Sequence, residues 1–457
     1  MSEAASTRTP LGLLQSLAPL LHQWLPGQRW FAGKGCAVAG FTPVSATELL
    51  PLKGPGPGLL HLLVRVRQRD MPVRSADCYQ LLIGVRETLP PALAPALIGH
   101  LTEGPLAGRT VYEGTRDPRL AGLLLERLRT PGSLGPLRFD RFDGAPAIPG
   151  DLPARPLDTE QSNSSLVYGD AYILKLFRRI HPGPNPDLEL PLALARAGCE
   201  RVPVPVAWYE ATAPEPFTLG VLQPFLPGSR DGWVLALEAL ACGRSFLGEA
   251  HALGRVTAEV HTALADALPT VKLNGPRTQQ LAAAMGGRLD AAAQAVPALV
   301  PYVPRLRSAF DAVEELGRRG RTWAAQRVHG DLHLGQILRG PKDTPWSVID
   351  FEGEPARPLT ERRRPQPAVR DVAGMLRSFD YAARTHRPWN PAWAQRCRDA
   401  YCDGYATAGG DDPREEPELL RAYETDKAVY EVVYEARHRP DWMPVPMAAI
   451  ERLAAFD

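Results

Sequence analysis

Two segments predict the architecture of this chain: Arg327-Val328-His329-Gly330-Asp331-Leu332-His333-Leu334-Gly335-Gln336, and Ser347-Val348-Ile349-Asp350-Phe351-Glu352. The first places a carboxylate, Asp331, in a short loop and an amide, Gln336, five residues later. A second carboxylate, Asp350, comes nineteen residues after the first and ends an apolar run that predicts a strand. His, Gly and Asp alone are ordinary turn residues. The joint spacing of the three oxygen-bearing side chains is what indicates a site.

This layout is the one that phosphoryl transfer from ATP requires. Asp331 can orient the attacking hydroxyl and accept its proton. Gln336 and Asp350 can offer oxygen ligands to Mg²⁺, a hard cation that needs few protein ligands beside the substrate phosphates. In protein kinases a His-Arg-Asp loop with a later Asn, and an Asp-Phe-Gly turn, do the same work. We therefore predict a kinase that uses ATP and Mg²⁺, with Asp331 as the catalytic base.

A hairpin upstream predicts the second part of a kinase site. Two apolar runs, residues 166–168 and 171–177, flank Gly169-Asp170, which is a strong hairpin signal. Lys175 lies inside the second run, where it can bind the α- and β-phosphates of ATP. The polar loop before the hairpin is predicted to lie over the phosphates and consists of Gln161, Ser162, Asn163, Ser164 and Ser165.

The residues after Lys175 predict its partner. Glu189 opens a helical pattern over residues 188–196 and is the preferred partner, with Asp187 as the alternative. Both carboxylates could hold the lysine in position for ATP, as a helical glutamate does in protein kinases.

Two extended segments follow that helix. Residues 202–208 contain two prolines and predict an edge strand at best, whereas residues 217–222 can form a central strand. The connector between the two lobes comes next, and its backbone is predicted to hydrogen-bond adenine. Gln223 and Phe225 are the residues of this connector that we assign to nucleotide binding.

The C-terminal part of the chain is predicted to be mainly helical. Asp371, near the start of one helix, should cap that helix or bond the backbone of the catalytic loop, and His261 should be a core histidine. Lys427, Tyr430 and Tyr434 lie on one face of a helix at residues 423–437. Such a stripe is usually a half-buried packing face, although aromatic rings and polar groups also hold sugars.

Composition restricts the other functions. The chain has 457 residues, of which 44% are hydrophobic and 23% charged, so it can bury a sizeable core. With 52 Lys and Arg against 51 Asp and Glu, the net charge of +1 gives no attraction to nucleic acid or to an anionic membrane. Six scattered cysteines have the pattern of free thiols in a reducing compartment. We predict a cytoplasmic protein without a membrane span.

Motifs along most of the chain resemble the actinobacterial maltokinases, a family similar to the aminoglycoside phosphotransferases and to eukaryotic-type kinases. The motifs are QRWFAGK, EQSNSSLVYGDAYILKLFRR, NPDLEL, QRVHGDLHLGQILR, VIDFEGEP, RDVAGMLRSFDYAA and AYETDKAVYEVVYEARHRPDWMPVP. The first and the last are the most particular to that family. The segments near residues 91–155 and 270–320 resemble it least.

The resemblance implies an α+β, bilobal protein-kinase-like fold with an extra N-terminal cap subdomain and a helical C-lobe. Its expected parts are the cap at residues 1–90, an intermediate subdomain and N-lobe with the phosphate loop and Lys175 at 91–222, and the C-lobe with the catalytic loop and acceptor site at 223–457. In the cap, the hairpin of residues 59–66 and 78–85 follows a helix from residue 11 to 24, which Pro19 is expected to kink or interrupt.

The resemblance also implies ATP-dependent phosphorylation of maltose at its anomeric hydroxyl, giving maltose 1-phosphate for α-glucan (glycogen) synthesis. Asp331 would be the base and contact the sugar, Gln336 and Asp350 the Mg²⁺ ligands, and Lys175 the phosphate lysine. Lys427, Tyr430 and Tyr434 would lie at the sugar site. An enzyme that interconverts trehalose and maltose would be an associated partner.

Two other functions remain open. The acceptor can be another sugar or an amino sugar such as glucosamine, because acceptor choice depends on a few pocket residues of a shared fold. The chain can also be a kinase-like binding module without activity. Intact Lys175, Asp331, Gln336 and Asp350 argue against the second.

Overall fold

The computed structural model describes residues 10–69, 76–157, 162–341 and 344–455. The chain divides into two compact units, the first made of Met1–Leu188 and Val204–Pro227, and the second of Glu189–Pro203 and Gly228–Asp457. The expected division into three parts at residues 90 and 222 stays a prediction. In the part of the chain that is described, no helix combines the length and apolarity needed to cross a membrane.

The first unit is rich in strands. In chain order these are β1 (Val38–Leu50), β2 (Gly58–Gln68), β3 (Asp77–Arg86), β4 (Leu97–His100), β5 (Thr110–Glu113), β6 (Gly132–Leu134), β7 (Leu137–Arg141), β8 (Ala154–Leu157), β9 (Ser164–Tyr168), β10 (Tyr172–Leu176), β11 (Arg179–Ile180), β12 (Ala207–Ala211) and β13 (Phe217–Pro224). Its helices are α1 (Pro10–Trp24) and α2 (Pro118–Arg129), and α3 (Pro186–Arg196) begins in it.

One sheet of the first unit is N-terminal and antiparallel. Its order is β1-β2-β3-β5-β4, with β11 paired to β3. The buried leucines of α1 pack on this sheet together with Trp30 and Phe31, which belong to the same apolar core. Helix α1 is not interrupted by Pro19, because Pro19 and Gln15 are both exposed and water can bond the carbonyl that the proline leaves unpaired.

The other sheet of the first unit has the order β6-β7-β12-β13-β10-β9-β8. Strand β13 is central, as its apolar pattern predicts. The expectation of an edge strand at residues 202–208 is wrong, since β12 lies between β7 and β13. The reason is that β12 begins at Ala207, after Pro203 and Pro205, so neither proline removes a hydrogen bond from the sheet.

The second unit is mainly helical. Its helices are α4 (Gly232–Ala241), α5 (Leu247–Ala267), α6 (Gly275–Ala295), α7 (Val303–Arg318), α8 (Leu359–Arg362), α9 (Val369–Thr385), α10 (Pro391–Thr407), α11 (Pro417–His438) and α12 (Pro444–Ala454), together with most of α3. Its short strands are β14 (Arg230–Asp231), β15 (Val271–Leu273), β16 (Trp323–Ala325), β17 (Ile337–Arg339) and β18 (Trp346–Val348).

Two close contacts bring the elements of this unit together. Helices α5 and α10 approach closely where Gly254 meets the carbonyl of Tyr401, and this crossing leaves no room for a larger residue. Strands β17 and β18 form a hairpin that joins Gln336 at its start to Asp350 just after its end. The core between these elements is built from their apolar faces and from α9.

Candidate active site

The loop that carries Asp331 is held rigidly in the second unit. The side chains of Val328, Leu332 and Leu334, on either side of Asp331 in the chain, are buried and anchor the loop. His329 Nε2 donates to the carbonyl of Ile349 at 2.9 Å, so its Nδ1 faces the backbone N–H of Asp331 at 3.3 Å. Gly330 has a φ of 83°, a left-handed conformation that favours glycine.

Asp371 holds the backbone of this loop. Its carboxylate accepts from the N–H of His329 at 2.7 Å and of Gly330 at 2.8 Å, and from His261 Nε2 at 3.1 Å. Burial would raise the pKa of Asp371, but the bonds from His261 and the loop outweigh it and lower that pKa. Two roles were expected for Asp371, a helix cap and a bond to the backbone of the catalytic loop, and the structure shows the second. The N-cap of α9 is Ala368.

Gln336 and Asp350, the predicted metal ligands, lie side by side. Gln336 Nε2 donates to Asp350 Oδ2 at 2.8 Å, and both side chains are half-buried. Asp350 has a φ of 66°, a left-handed conformation that residues other than glycine seldom adopt. The amide oxygen of Gln336 and the carboxylate of Asp350 are hard-oxygen donors of the kind that Mg²⁺ prefers, and the contact between the two side chains uses the amide nitrogen. His333 is engaged elsewhere, since its Nδ1 accepts from the N–H of Gly335 at 3.0 Å.

Lys427 reaches the predicted base from α11. Its Nζ donates to Asp331 Oδ1 at 2.6 Å and to Glu354 Oε1 at 3.0 Å, and it lies 4.8 Å from the centre of the Tyr430 ring. Burial alone would lower the pKa of Lys427. The two carboxylates outweigh that effect and hold the pKa well above its usual value, so the side chain stays charged.

Three arginines, Arg288, Arg357 and Arg370, form ion pairs next to Lys427 and Asp331, and with their carboxylate partners they make up the ring of charges. Arg357 binds Glu354, Glu361 at 2.7 Å and Asp426 at 2.8 Å, while Arg288 binds both oxygens of Asp426. Arg370 reaches Glu354 at 3.3 Å. Burial would raise the pKa of Glu354, but these charges, with Lys427, hold it well below its usual range. The space bounded by the cluster is about 10 Å³, the room of one water molecule.

The sequence did not identify this ring of charges. Glu354 and Arg357 lie just after the Asp-Phe-Glu turn, and Asp426 directly precedes Lys427, so acidic residues beside predicted site residues are the signal that was available. The ion pair of Arg357 with Asp426 joins positions 69 residues apart, and a periodic pattern in the sequence cannot predict a contact over that separation.

The aromatic residues predicted at the sugar site continue from Lys427 along α11. The rings of Tyr430 and Tyr434 stack with centroids 6.3 Å apart, and Tyr434 contacts His438 at 4.7 Å. The structure therefore brings four predicted residues together in one unit: Asp331, Lys427, Tyr430 and Tyr434.

In the first unit, Lys175 forms an ion pair in which its Nζ donates to Asp187 Oδ2 at 2.8 Å. The sequence ranked Glu189 above Asp187 as this partner, and the structure corrects that order. Residues two apart point to different sides of a helix, so both carboxylates cannot face the same lysine. Glu189, which belongs to the second unit, accepts from Arg327 Nη1 at 2.8 Å.

Four of the five residues predicted to form the phosphate loop, Ser162 to Ser165, lie within the described chain. Gln161 lies outside the described residues. Asn163 and Ser165 are buried, Asn163 Nδ2 faces the Ser162 hydroxyl at 3.4 Å, and Ser165 pairs with Lys175 across β9 and β10. Ser164 Oγ accepts from Arg178 Nε at 2.8 Å. Of these residues, Ser165 therefore lies next to the lysine.

The two predicted adenine-side residues lie at the other end of β10. Gln223, in β13, pairs with Ile173, and the backbone N–H of Phe225 donates to the carbonyl of Ala171 at 2.8 Å. The Phe225 ring faces the guanidinium of Arg155 at 5.7 Å. Their assignment to nucleotide binding stays a prediction.

Comparison with known proteins identifies relatives of both units. A family model described as the maltokinase N-terminal cap domain matches residues 24–117. The glucosamine kinase of Streptacidiphilus jiangxiensis is 32% identical over 369 residues, which is 73% of this chain and 80% of that protein. The glucosamine kinase of Mycolicibacterium smegmatis is 30% identical over 322 residues, or 65% of this chain and 79% of the other.

A solved structure agrees with these matches. A glucosamine kinase in complex with glucosamine, ADP and inorganic phosphate has a TM-score of 0.65 and 25% identity, over 95% of this chain and 98% of that one. The predicted fold class is thereby confirmed as a kinase-like mixture of helix and sheet with an N-terminal cap domain and a helical C-terminal region. The chain belongs to the maltokinase-like family of sugar kinases, together with these two glucosamine kinases.

Proposed function

We propose that this protein transfers the γ-phosphoryl group of ATP to the anomeric hydroxyl of maltose and releases maltose 1-phosphate and ADP, for use in α-glucan synthesis. The observation that carries this proposal is the contact of Lys427 with Asp331 at 2.6 Å, on the helix face that also presents Tyr430 and Tyr434. A cationic and aromatic face at the base suits a neutral sugar. The match of residues 24–117 to the maltokinase cap supports the same assignment.

The bond changes are those of a direct displacement. The acceptor oxygen forms a bond to the γ-phosphorus, the bond from that phosphorus to the ADP oxygen breaks, and the hydroxyl proton passes to Asp331. The transition state for phosphoryl transfer is loose, so the hydroxyl need not be deprotonated beforehand. Asp331 therefore acts mainly by alignment, and the contacts of His329 and Asp371 keep its loop from moving.

The residues around the base prepare it for this work. Lys427 partly neutralises Asp331 and Glu354 and fixes the direction of the Asp331 carboxylate. When a sugar enters, Lys427 can also donate to one of its hydroxyls. Gln336 and Asp350 would hold Mg²⁺, which supplies positive charge for the phosphate oxygens when bound. Lys175 would bind the α- and β-phosphates from its place beside Asp187.

Glucosamine is a second candidate acceptor, because both sequence relatives and the structural relative are glucosamine kinases. One feature of this chain disfavours it. An ammonium group placed beside Asp331 would also lie beside the charged Lys427, whose repulsion would offset part of the attraction to the carboxylates of Asp331 and Glu354. A neutral sugar does not incur this cost.

The test is an ADP-release assay with Mg-ATP and, in turn, maltose, glucose, glucosamine, trehalose and an aminoglycoside, with Asp331→Ala as the blank. We expect selective turnover of maltose that is lost in the blank, with phosphorus NMR showing phosphate on the anomeric carbon. Selective turnover of glucosamine would keep the mechanism and overturn the maltose assignment. ADP release from none of the acceptors would favour a binding module without activity.

A further inference from the structure

We propose that Arg370 is a positioning residue that fixes the direction of the Asp331 carboxylate relative to the backbone of its own loop. It does so by closing a circuit of hydrogen bonds that leaves the side chain of Asp331 and returns to the peptide bond before this residue. The inference deepens the proposed function and rests on it, because it takes Asp331 as the group that aligns the acceptor hydroxyl.

The side-chain half of the circuit passes through Lys427 and Glu354. Lys427 Nζ donates to Asp331 Oδ1 at 2.6 Å and to Glu354 Oε1 at 3.0 Å, so one ammonium group holds two carboxylates. The other oxygen of Glu354, Oε2, accepts from Arg370 Nη2 at 3.3 Å. Because its two oxygens bond Lys427 and Arg370 separately, Glu354 sets the position of the lysine relative to the arginine.

The backbone half of the circuit is the contact of Arg370 with the catalytic loop. The same Nη2 that bonds Glu354 donates to the carbonyl of Gly330 at 3.1 Å. This carbonyl belongs to the planar peptide unit that contains the nitrogen of Asp331, so the contact fixes the plane from which Asp331 projects. Asp371 holds the preceding peptide unit, since it accepts from the N–H of Gly330 at 2.8 Å. Two consecutive residues of α9 thus hold two consecutive peptide units of the loop.

The loop needs this constraint because a glycine precedes the base. Gly330 has a φ of 83°, and glycine has more accessible backbone conformations than any other residue. The N–H of Asp331 makes a long contact of 3.3 Å with His329 Nδ1. Rotation of the peptide unit between Gly330 and Asp331 would move the carboxylate away from the acceptor hydroxyl. A misplacement of about 1 Å at a reacting group can reduce the rate about 100-fold.

The other two arginines of the ring of charges hold helices α8 and α11. Arg357 and Arg288 both bind Glu361 of α8 and Asp426 of α11. Arg370 differs from them because one of its partners is the backbone of the catalytic loop. The ring of charges therefore has a part that joins helices and, through Arg370, a part that reaches the base.

The experiment compares Arg370→Met with Arg398→Met in the full chain. The two arginines are similarly buried, with 10% and 12% of their side chains exposed, and both bind carboxylates. The partners of Arg398 are Glu424 at 2.7 Å and Asp380 at 3.2 Å, which lie outside the circuit. Steady-state kinetics with the acceptor that the ADP-release assay selects gives kcat and both KM values, and calorimetry gives ADP affinity.

We expect Arg370→Met to lower kcat about 10- to 100-fold, because Asp331 is no longer aligned. The KM for ATP and ADP affinity should stay within about twofold, since the nucleotide is assigned to other residues. Arg398→Met should lower the melting temperature and keep kcat within about twofold, because it removes a buried ion pair away from the base.

Glu354→Gln should open the circuit at a second point. Its amide has one oxygen, so the nitrogen would face either Lys427 or Arg370, which are both donors. We expect kcat to fall as in Arg370→Met. Combining the two changes should lower kcat no further than the more severe single change, because both open the same circuit.

Amide hydrogen exchange over residues 328–334, measured by mass spectrometry, tests the circuit without an acceptor. We expect exchange in this segment to be about fivefold faster in Arg370→Met and Glu354→Gln and unchanged in Arg398→Met, because the circuit limits local opening of the loop. If the unaltered protein phosphorylated no sugar but showed this pattern of exchange, the proposed function would be wrong and the circuit would stand.

Three results would overturn the role of Arg370. The first is near-normal kcat in Arg370→Met, or unchanged exchange if the protein has no activity. The second is an equal loss of kcat in Arg398→Met, which would mean that general destabilisation explains the effect. The third is a double variant whose losses multiply, since Arg370 and Glu354 would then act separately. If Arg370→Met does not fold, kcat and exchange in Glu354→Gln decide the question in the same way.

Discussion

Each unit of the molecule contains a lysine–carboxylate pair beside an aromatic ring, and these two pairs differ in what surrounds them. Lys175 bonds Asp187 at 2.8 Å near the ring of Phe177, and Lys427 bonds Asp331 at 2.6 Å near the ring of Tyr430. Lys175 stands on a strand whose continuation joins the cap sheet. Lys427 stands on a helix inside a ring of arginines and carboxylates. We expect the pair in the first unit to bind phosphate and the pair in the second unit to bind the reacting hydroxyl.

The most severe test of this comparison is Asp331→Asn, which keeps the shape of the side chain but removes the base. We expect kcat to fall by about 10²- to 10⁴-fold, the usual worth of a positioned general base. ADP affinity, measured by calorimetry, should not change, because Asp331 is not assigned to the nucleotide. Near-normal turnover would mean that the pair in the second unit is structural.

Arg357→Met should produce a loss of stability of about 1–3 kcal/mol, since it removes one partner of the buried carboxylates of Glu354 and Asp426, which keep Lys427, Arg370 and Arg288. Chemical denaturation measures this loss. Arg364→Met is the matched control, because Arg364 is exposed, and it should change the free energy of unfolding by less than about 0.5 kcal/mol. Similar values for the two variants would show that the ring of charges does not hold the second pair.

Replacing each lysine by methionine should separate the two pairs by substrate. Lys175→Met is expected to raise the KM for ATP about 10- to 100-fold, the worth of a charge-assisted bond. Lys427→Met should lower kcat/KM for the sugar by a similar factor and leave ADP affinity within about twofold. Steady-state kinetics with each substrate varied in turn measures both effects. If the two variants showed the same profile, the proposed division of labour would be wrong.

The smallest expected effect is on acid stability. The folded-state pKa of Glu354 is below its ordinary value of 4.5, so its ionised form stabilises the protein above that pH, and this contribution is lost as the pH falls through the lowered pKa. The free energy of unfolding should therefore fall between about pH 5 and pH 2, and less steeply in Glu354→Gln. Glu418→Gln, at an exposed position, should keep the original slope.

The polarity of the loops and the spacing of their residues were enough to predict much of the site. Asp331, Gln336 and Asp350 follow from a local pattern, and Gln336 and Asp350 do lie in contact. The hairpin of β9 and β10 around Gly169-Asp170 follows in the same way, because turn chemistry and alternation act over a few residues. The choice between Asp187 and Glu189 could not be made locally, since it depends on which side of α3 faces the lysine.

The sequence by itself determined the class of fold, through motifs that resemble a known family, and it predicted where a catalytic loop and a phosphate-binding lysine lie, because those patterns depend on neighbours in the chain. Only the tertiary structure decided that Lys427 meets Asp331, that Arg357 holds Asp426, and that Arg178 meets Ser164. These contacts join residues 14 to 96 positions apart. A buried charge is stable only with a partner, and which distant residue becomes that partner is settled when the elements pack together.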